Sequence, residues 1–150
     1  MRFYAIGDIH GQLELLKSAH ERIARDDAAH GGAGEVIHVG DLLDRGPDSR
    51  GVVDYLMRGR DAGRPWTVLR GNHDRFLPRF IRQPGWIDAG LGSGKHWLDH
   101  QALGATQTLA SYGVGNDGDH QRSHAEALRA VPEAHLRWLE SLPLWRLMPQ

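Results

Sequence analysis

Apolar and polar positions follow two different periods over the first seventy residues. Phe3-Tyr4-Ala5-Ile6, Glu35-Val36-Ile37-His38-Val39 and Trp66-Thr67-Val68-Leu69 are short β-prone runs, halted in turn by Gly7-Asp8, Gly40-Asp41 and Gly71-Asn72. Between the first two runs Leu13, Leu16, Ala19 and Ile23 recur at helical spacing, and between the second and third Val52, Val53, Leu56 and Met57 do the same. This β-α-β-α-β alternation predicts parallel strands joined by right-handed helical crossovers. It also sets all three glycine punctuations at the carboxyl ends of neighbouring strands, the edge at which open α/β sheets bind ligands.

Beyond Leu69 the pattern turns helical. Phe76, Leu77, Phe80 and Ile81 predict a short helix capped by Asp74, with Pro78 near its first turn and Gln83-Pro84-Gly85 ending it. Gly-rich loops at 85–94 and 113–120 flank an expected helix from about Lys95 to Ala110. Ser123-His124-Ala125-Glu126 reads as a capping box, and Pro132-Glu133 opens a last helix carrying Leu136, Leu139 and Leu142 on one face. No fourth strand is evident, although Leu144-Trp145-Arg146-Leu147-Met148 stops where another could be starting. No repeat or linker divides the chain, so residues 1–150 read as one domain.

Composition narrows the chemistry. The 150 residues carry 18 Lys+Arg against 19 Asp+Glu, 10 His and no Cys, with 40% hydrophobic content, as expected of a soluble globular domain. Without Cys there is no disulfide framework, thiol nucleophile or thiolate metal site, so a metal would need imidazole or oxygen ligands. A net charge of -1 without a run of five like charges argues against nonspecific binding to nucleic acid or membrane surfaces. No 18-residue apolar run occurs, and Gly7-Asp8 leaves no room for a signal-peptide core, so the expected location is cytoplasmic.

The three strand-end motifs carry the chemistry. Gly7-Asp8-Ile9-His10-Gly11 sets a carboxylate and an imidazole two residues apart, which on an extended backbone face the same side and can hold one metal ion. Gly40-Asp41-Leu42-Leu43-Asp44-Arg45-Gly46 adds two carboxylates and a guanidinium; one carboxylate can bridge two cations, and the guanidinium can clamp a phosphate bidentately. Gly71-Asn72-His73-Asp74 supplies a neutral oxygen donor beside an imidazole facing another way, free to act as acid or base. Gly-Asp and Gly-Asn are ordinary turn dipeptides, but turn propensity does not require His, Arg and Asn at these offsets.

On these residues the chain resembles the calcineurin-like metallophosphoesterases, and within them the bacterial and phage-type serine/threonine phosphoprotein phosphatases. GDIHG at 7–11, GDLLDRG at 40–46 and RGNHD at 70–74 carry the resemblance; Thr108-Leu109-Ala110-Ser111-Tyr112-Gly113 and Leu139-Glu140-Ser141-Leu142-Pro143-Leu144 extend it weakly. It implies a sandwich of two β-sheets flanked by helices around a dinuclear centre of divalent metal, manganese first, with iron, zinc or nickel as alternatives. Asp8, His10 and Asp41 then match ligands of the first metal, and Asp41 and Asn72 ligands of the second, with Asp41 bridging. His73 matches the proton donor to the leaving group, Asp44 its orienting partner and Arg45 a phosphate clamp. The implied substrate is a phosphorylated protein or small phosphoester.

The family completes its second metal site with two later His residues, in a Val-His-Ala-Gly type segment and a Gly-His segment, and neither occurs in this sequence. The chain is accordingly expected to be the N-terminal portion of the domain, with an incomplete second metal site, weak or absent hydrolysis and an uncovered sheet surface prone to self-association. Two alternatives stay open: a dinucleoside polyphosphate hydrolase, whose members often lack the Asp found here as Asp44, and a non-catalytic metal-binding remnant. The remaining histidines invite plainer readings. His96 and His100 are expected on a solvated helix face and His120 and His124 near a cap and loop, while His38 is expected as a hydrogen-bonded core residue. Gly90, Gly92, Gly94 and Lys95 lack the spacing of a phosphate loop, and Trp66, Trp86, Trp97, Trp138 and Trp145 read as packing residues.

Overall fold

Strands β1 (Phe3–Ile6), β2 (Glu35–His38) and β3 (Trp66–Val68) form one parallel sheet in the order β1-β2-β3 in the computed structural model, which describes residues 2–147. The register pairs Ile6 with His38 and His38 with Val68, so the three runs end at one edge and their Gly-containing loops are neighbours. Helices α1 (Leu13–Ala29) and α2 (Ser49–Asp61) are the crossovers expected from the apolar spacing. The chain continues through α3 (Phe76–Arg82), α4 (Ala105–Ser111), α5 (His120–Ala130) and α6 (Glu133–Ser141). The fold is therefore α/β with a parallel sheet. Among the described residues there is one sheet of three strands and no strand of a second; Met148, the last residue of the expected strand start, lies outside them.

The core is built mostly from helices and from the loop after β2. Leu56 of α2, Leu77 of α3, Leu109 of α4 and Leu139 of α6 are wholly buried there, together with Leu42 and Leu43 of the loop after β2. Each buried leucine contributes about 2 kcal/mol through apolar area removed from water, so that loop is anchored by its own middle residues. The sheet face away from α1 and α2 is crossed by the C-terminal segment: Arg70 N–H donates to Pro143 O at 2.8 Å, and Arg146 pairs with Glu35 and Thr67. Apolar side chains stay exposed in this region, Val39 at 50% and Trp145 at 69%.

Four local expectations are corrected. The span from Lys95 to Ala110 is not one helix but two 3-10 turns, Trp97–Asp99 and Gln101–Leu103, followed by α4. Gly104 separates them with φ +86, and a Cβ there would stand 2.2 Å from Arg45 N, so the chain must turn where apolar periodicity alone runs straight through. His96 is consequently buried rather than solvated. Helix α5 begins at His120 under an Asp119 cap that accepts from Arg122 N at 3.0 Å, which leaves Ser123 inside the helix with its hydroxyl donating to Gly115 O. Asp74 caps no helix, and its actual partners are in the neighbouring loops.

His38 is a hydrogen-bonded core residue as expected, and its partner is another histidine. Tyr55 O–H donates to His20 Nδ1 at 2.9 Å, His20 Nε2–H to His38 Nε2 at 2.8 Å, and His38 Nδ1–H to Thr67 O at 3.0 Å, with the His20 ring stacked on Trp66. The chain accommodates one added proton, with the Tyr55 oxygen accepting from His20 Nδ1–H, but a proton on both rings sets two N–H groups face to face across the Nε2–Nε2 contact. Burial pushes both histidines down to about 4. A histidine lowered in the folded state stabilises above its unfolded value, near 6.5, and loses that contribution as pH falls toward 4. Acidification from pH 7 to pH 5 is expected to cost about 2 kcal/mol for each imidazole. Urea unfolding at the two pH values, with NMR titration of both rings, checks this; rings that titrate near 6.5 would refute it.

Candidate active site

The loops after the three strands are stitched to one another by backbone hydrogen bonds. His10 N–H donates to Asp41 O and Gly11 N–H to Leu42 O, both at 2.8 Å, which ties the first loop to the second. The third joins them through side chains: Asp41 Oδ1 accepts from His73 N at 3.0 Å, and the buried Asp74 carboxylate accepts from Leu42 N and Gly71 N at 2.7 Å and from Leu43 N at 3.3 Å. Burial pushes the Asp74 carboxyl up to about 6, against the pull of those three backbone donors. Gly71 permits this approach, since a Cβ there would sit 2.2 Å from both Asp41 N and Asp41 Oδ1.

Backbone strain is concentrated at the same place. Among the described residues, the non-glycine residues with positive φ are Asp8 (49°), His10 (42°), Asp41 (53°), Asp44 (71°) and Arg45 (68°). Each costs about 1–3 kcal/mol, less for Asp and His whose short polar side chains tolerate this region. Strain retained at five residues of two adjacent loops marks them as placed for something other than stability. It also corrects one expectation: Asp8 and His10 do not lie on extended backbone, because β1 ends at Ile6, so their two-residue spacing does not set them on one side.

The two imidazoles present the same nitrogen to the site. His10 Nδ1–H donates to Leu43 O at 2.7 Å, and His73 Nδ1–H to Asp44 Oδ2 at 2.9 Å. Each Nε2 therefore carries a lone pair, and the Arg45 guanidinium donates to both, to His10 Nε2 at 3.3 Å and His73 Nε2 at 3.4 Å. The rings meet edge to face with centroids 4.7 Å apart. Asp44 is fully buried and takes three donors: His73, Trp97 Nε1–H at 3.2 Å and Thr108 O–H at 2.8 Å. Its own N–H is shared between Thr108 Oγ1 and Ser49 Oγ. A buried carboxylate held by three donors fixes the imidazole that it accepts from in one tautomer and orientation.

Of the residues singled out in the sequence, His10, Asp41, Asp44, Arg45 and His73 are thus in mutual contact. Asp8 and Asn72 are exposed at the ends of the first and third loops. His10, Asp41 and His73 each offer a ligand atom within 4.8 Å of the others, whereas Asp8 stands outside that group. The donor set fits a divalent cation: imidazole and carboxylate, no thiolate, with a backbone carbonyl fixing the far nitrogen of His10 as in metal-ligating histidines. Trp97, Thr108, Ser49 and Asp74 support the site without having been read as part of it. Thr108 opens one of the weakly similar segments, and Trp97 had no signal beyond its apolar character.

The family model for calcineurin-like phosphoesterases matches residues 1–146. The symmetrical bis(5'-nucleosyl)-tetraphosphatase of Pseudomonas fluorescens (strain SBW25) is 39% identical over 77 residues, 51% of this chain and 25% of that protein. Shewanella-like protein phosphatase 2 of Arabidopsis thaliana is 35% identical over 122 residues, 73% of this chain and 30% of that protein. Serine/threonine-protein phosphatase 2 of Escherichia coli (strain K12) is 33% identical over 100 residues, 63% of this chain and 39% of that protein. The aligned stretch is thus a quarter to two fifths of each of these relatives. No helix among the described residues is long and apolar enough to cross a membrane.

Proposed function

The chain belongs to the calcineurin-like phosphoesterases, and from that premise we propose that it is a metal-dependent phosphomonoesterase acting on phosphoserine and phosphothreonine. The observation that carries this reading is the buried Asp44 carboxylate on His73 Nδ1, with His73 Nε2 turned toward Arg45. Asp8, His10 and Asp41 are the proposed ligands of a first cation, and Asp41 and Asn72 of a second. These residues would hold divalent cations, manganese first, which when bound would supply a water of lowered pKa and neutralise phosphoryl charge.

The chain's own groups do the rest. Arg45 is exposed and its guanidinium lies between the two imidazoles, where its planar fork can take two phosphoryl oxygens and fix the ester's orientation. His73 delivers a proton from Nε2 to the departing alkoxide, and Asp44 stabilises the charged imidazole that precedes this transfer. Thr108 and Trp97 hold Asp44 against rotation.

The second reading is a dinucleoside polyphosphate hydrolase, supported by the name of the Pseudomonas relative. An intact Asp44-Arg45-Gly46 favours the monoesterase. Assay of the purified protein with manganese, on a phosphothreonine peptide and on a dinucleoside tetraphosphate in parallel, separates the two. The expected result is metal-dependent phosphate release from the peptide; turnover of the dinucleotide alone would favour the second reading, and none on either substrate the remnant.

A further inference from the structure

The 3-10 turn at Trp97–Asp99 and the first turn of α5 bring together three residues that the active site does not use. His96, Asp99 and His120 each offer one ligand atom, and these lie within 4.8 Å of one another. The two imidazoles stack with centroids 4.5 Å apart and planes 30° from parallel, and His120 Nε2 lies 2.8 Å from Asp99 Oδ1. We propose that His96, Asp99 and His120 form a zinc site separate from the cluster around Asp41, with water as the fourth ligand.

The hydrogen bonding of His96 supports a ligand role. Its Nε2–H donates to Pro84 O at 2.7 Å, so the lone pair is on Nδ1, where it accepts from Leu98 N at 3.2 Å, a hydrogen bond that a bound cation would displace. A backbone carbonyl on the far nitrogen is how metal-ligating histidines are commonly oriented. Burial also pushes His96 below the usual histidine range, which keeps it in the neutral, ligating form at pH 7. The other two members cede little. Asp99 is exposed and His120 half-buried, so their hydrogen bond contributes little on its own. A cation takes the place of the proton between them, and the neutral His120 ring then carries its proton on Nδ1. Two imidazoles and one carboxylate, with no thiolate, are a donor set that zinc takes in four-coordinate sites.

Position gives the site a consequence. Trp97 lies between His96 and Asp99 in the chain and donates its indole N–H to Asp44. A cation held by His96, Asp99 and His120 ties this turn to α5 and fixes the indole that steadies Asp44.

Zinc binding measured by competition with a chromogenic chelator tests the proposal, on the parent protein and on His120→Ala, Asp99→Asn and Asp41→Asn. His120→Ala and Asp99→Asn are expected to bind one zinc per chain fewer, or to bind it at least about tenfold more weakly. Asp41→Asn is expected to keep that zinc, which separates this site from the one around Asp41. In parallel, the imidazole nitrogen NMR signals of His96 and His120 are expected to shift on zinc addition. Zinc stoichiometry and affinity unchanged in both His120→Ala and Asp99→Asn, or His96 and His120 signals unmoved at saturating zinc, would overturn it. Circular dichroism of the two variants shows that any loss is not unfolding.

Discussion

Replacing His73 by Asn is expected to lower turnover of a phosphoserine ester by about a thousandfold while leaving bound metal unchanged. The side chain has two readings in the structure. Its Nε2 lone pair lies with His10 and Asp41 in a group compact enough to share a cation, and its Nδ1–H is committed to the buried Asp44. A ligating histidine and a proton donor can both give Nδ1–H to a carboxylate, so what each variant loses separates the two roles. Asparagine keeps an amide N–H for Asp44 but has no proton to give, so it isolates the chemistry. Asp41→Asn is expected to lose both metal and turnover, because Asp41 is the carboxylate proposed to bridge. Leaving-group dependence gives a second reading: 4-nitrophenyl phosphate departs as a stable phenolate and needs little help from an acid, so His73→Asn should slow it far less than the serine ester. Elemental analysis beside both assays decides the matter, and equal metal loss in the two variants would make His73 a ligand.

How much of this was legible in the sequence follows from which interactions are local. The strands, the crossovers and the edge where the motifs gather are encoded in short apolar runs stopped by Gly7-Asp8, Gly40-Asp41 and Gly71-Asn72, and the sheet has that order. The motif at 41–44 is readable even in its interior, since Leu42 and Leu43 point into the core and leave Asp41 and Asp44 to the site. What the sequence hid depends on contacts made far along the chain. Trp97 and Thr108 reach Asp44 from 53 and 64 residues away, and no motif marks an indole N–H that will find a buried carboxylate. Gly104, at φ +86, turns the chain against Arg45, 59 residues before it, in a place where a side chain would not fit. The backbone at Asp8 and His10 is left-handed rather than extended, a conformation set in the loops and not by residue spacing.

Asp44→Asn is expected to be nearly as damaging to turnover as loss of His73, at about a hundredfold or more, with only a modest loss of stability. The amide fills the same volume, and its single oxygen can still face His73 and Trp97, while its NH2 faces the Thr108 hydroxyl, which is able to accept. The folded state therefore loses about 1–3 kcal/mol from imperfect pairing. What it cannot replace is charge: a neutral amide gives no counter-charge to the imidazole as it hands its proton to the leaving alkoxide. The defect should again be larger for phosphoserine than for 4-nitrophenyl phosphate, which distinguishes lost proton delivery from a collapsed site, since collapse slows both esters equally. Trp97→Phe removes one of the three donors on Asp44 while keeping an aromatic ring against Phe76, and a smaller loss of about tenfold with the same leaving-group bias is expected. Urea unfolding and paired assays on both variants measure the two effects; an Asp44→Asn protein with parental turnover on the serine ester would remove Asp44 from the mechanism and leave His73 to act without it.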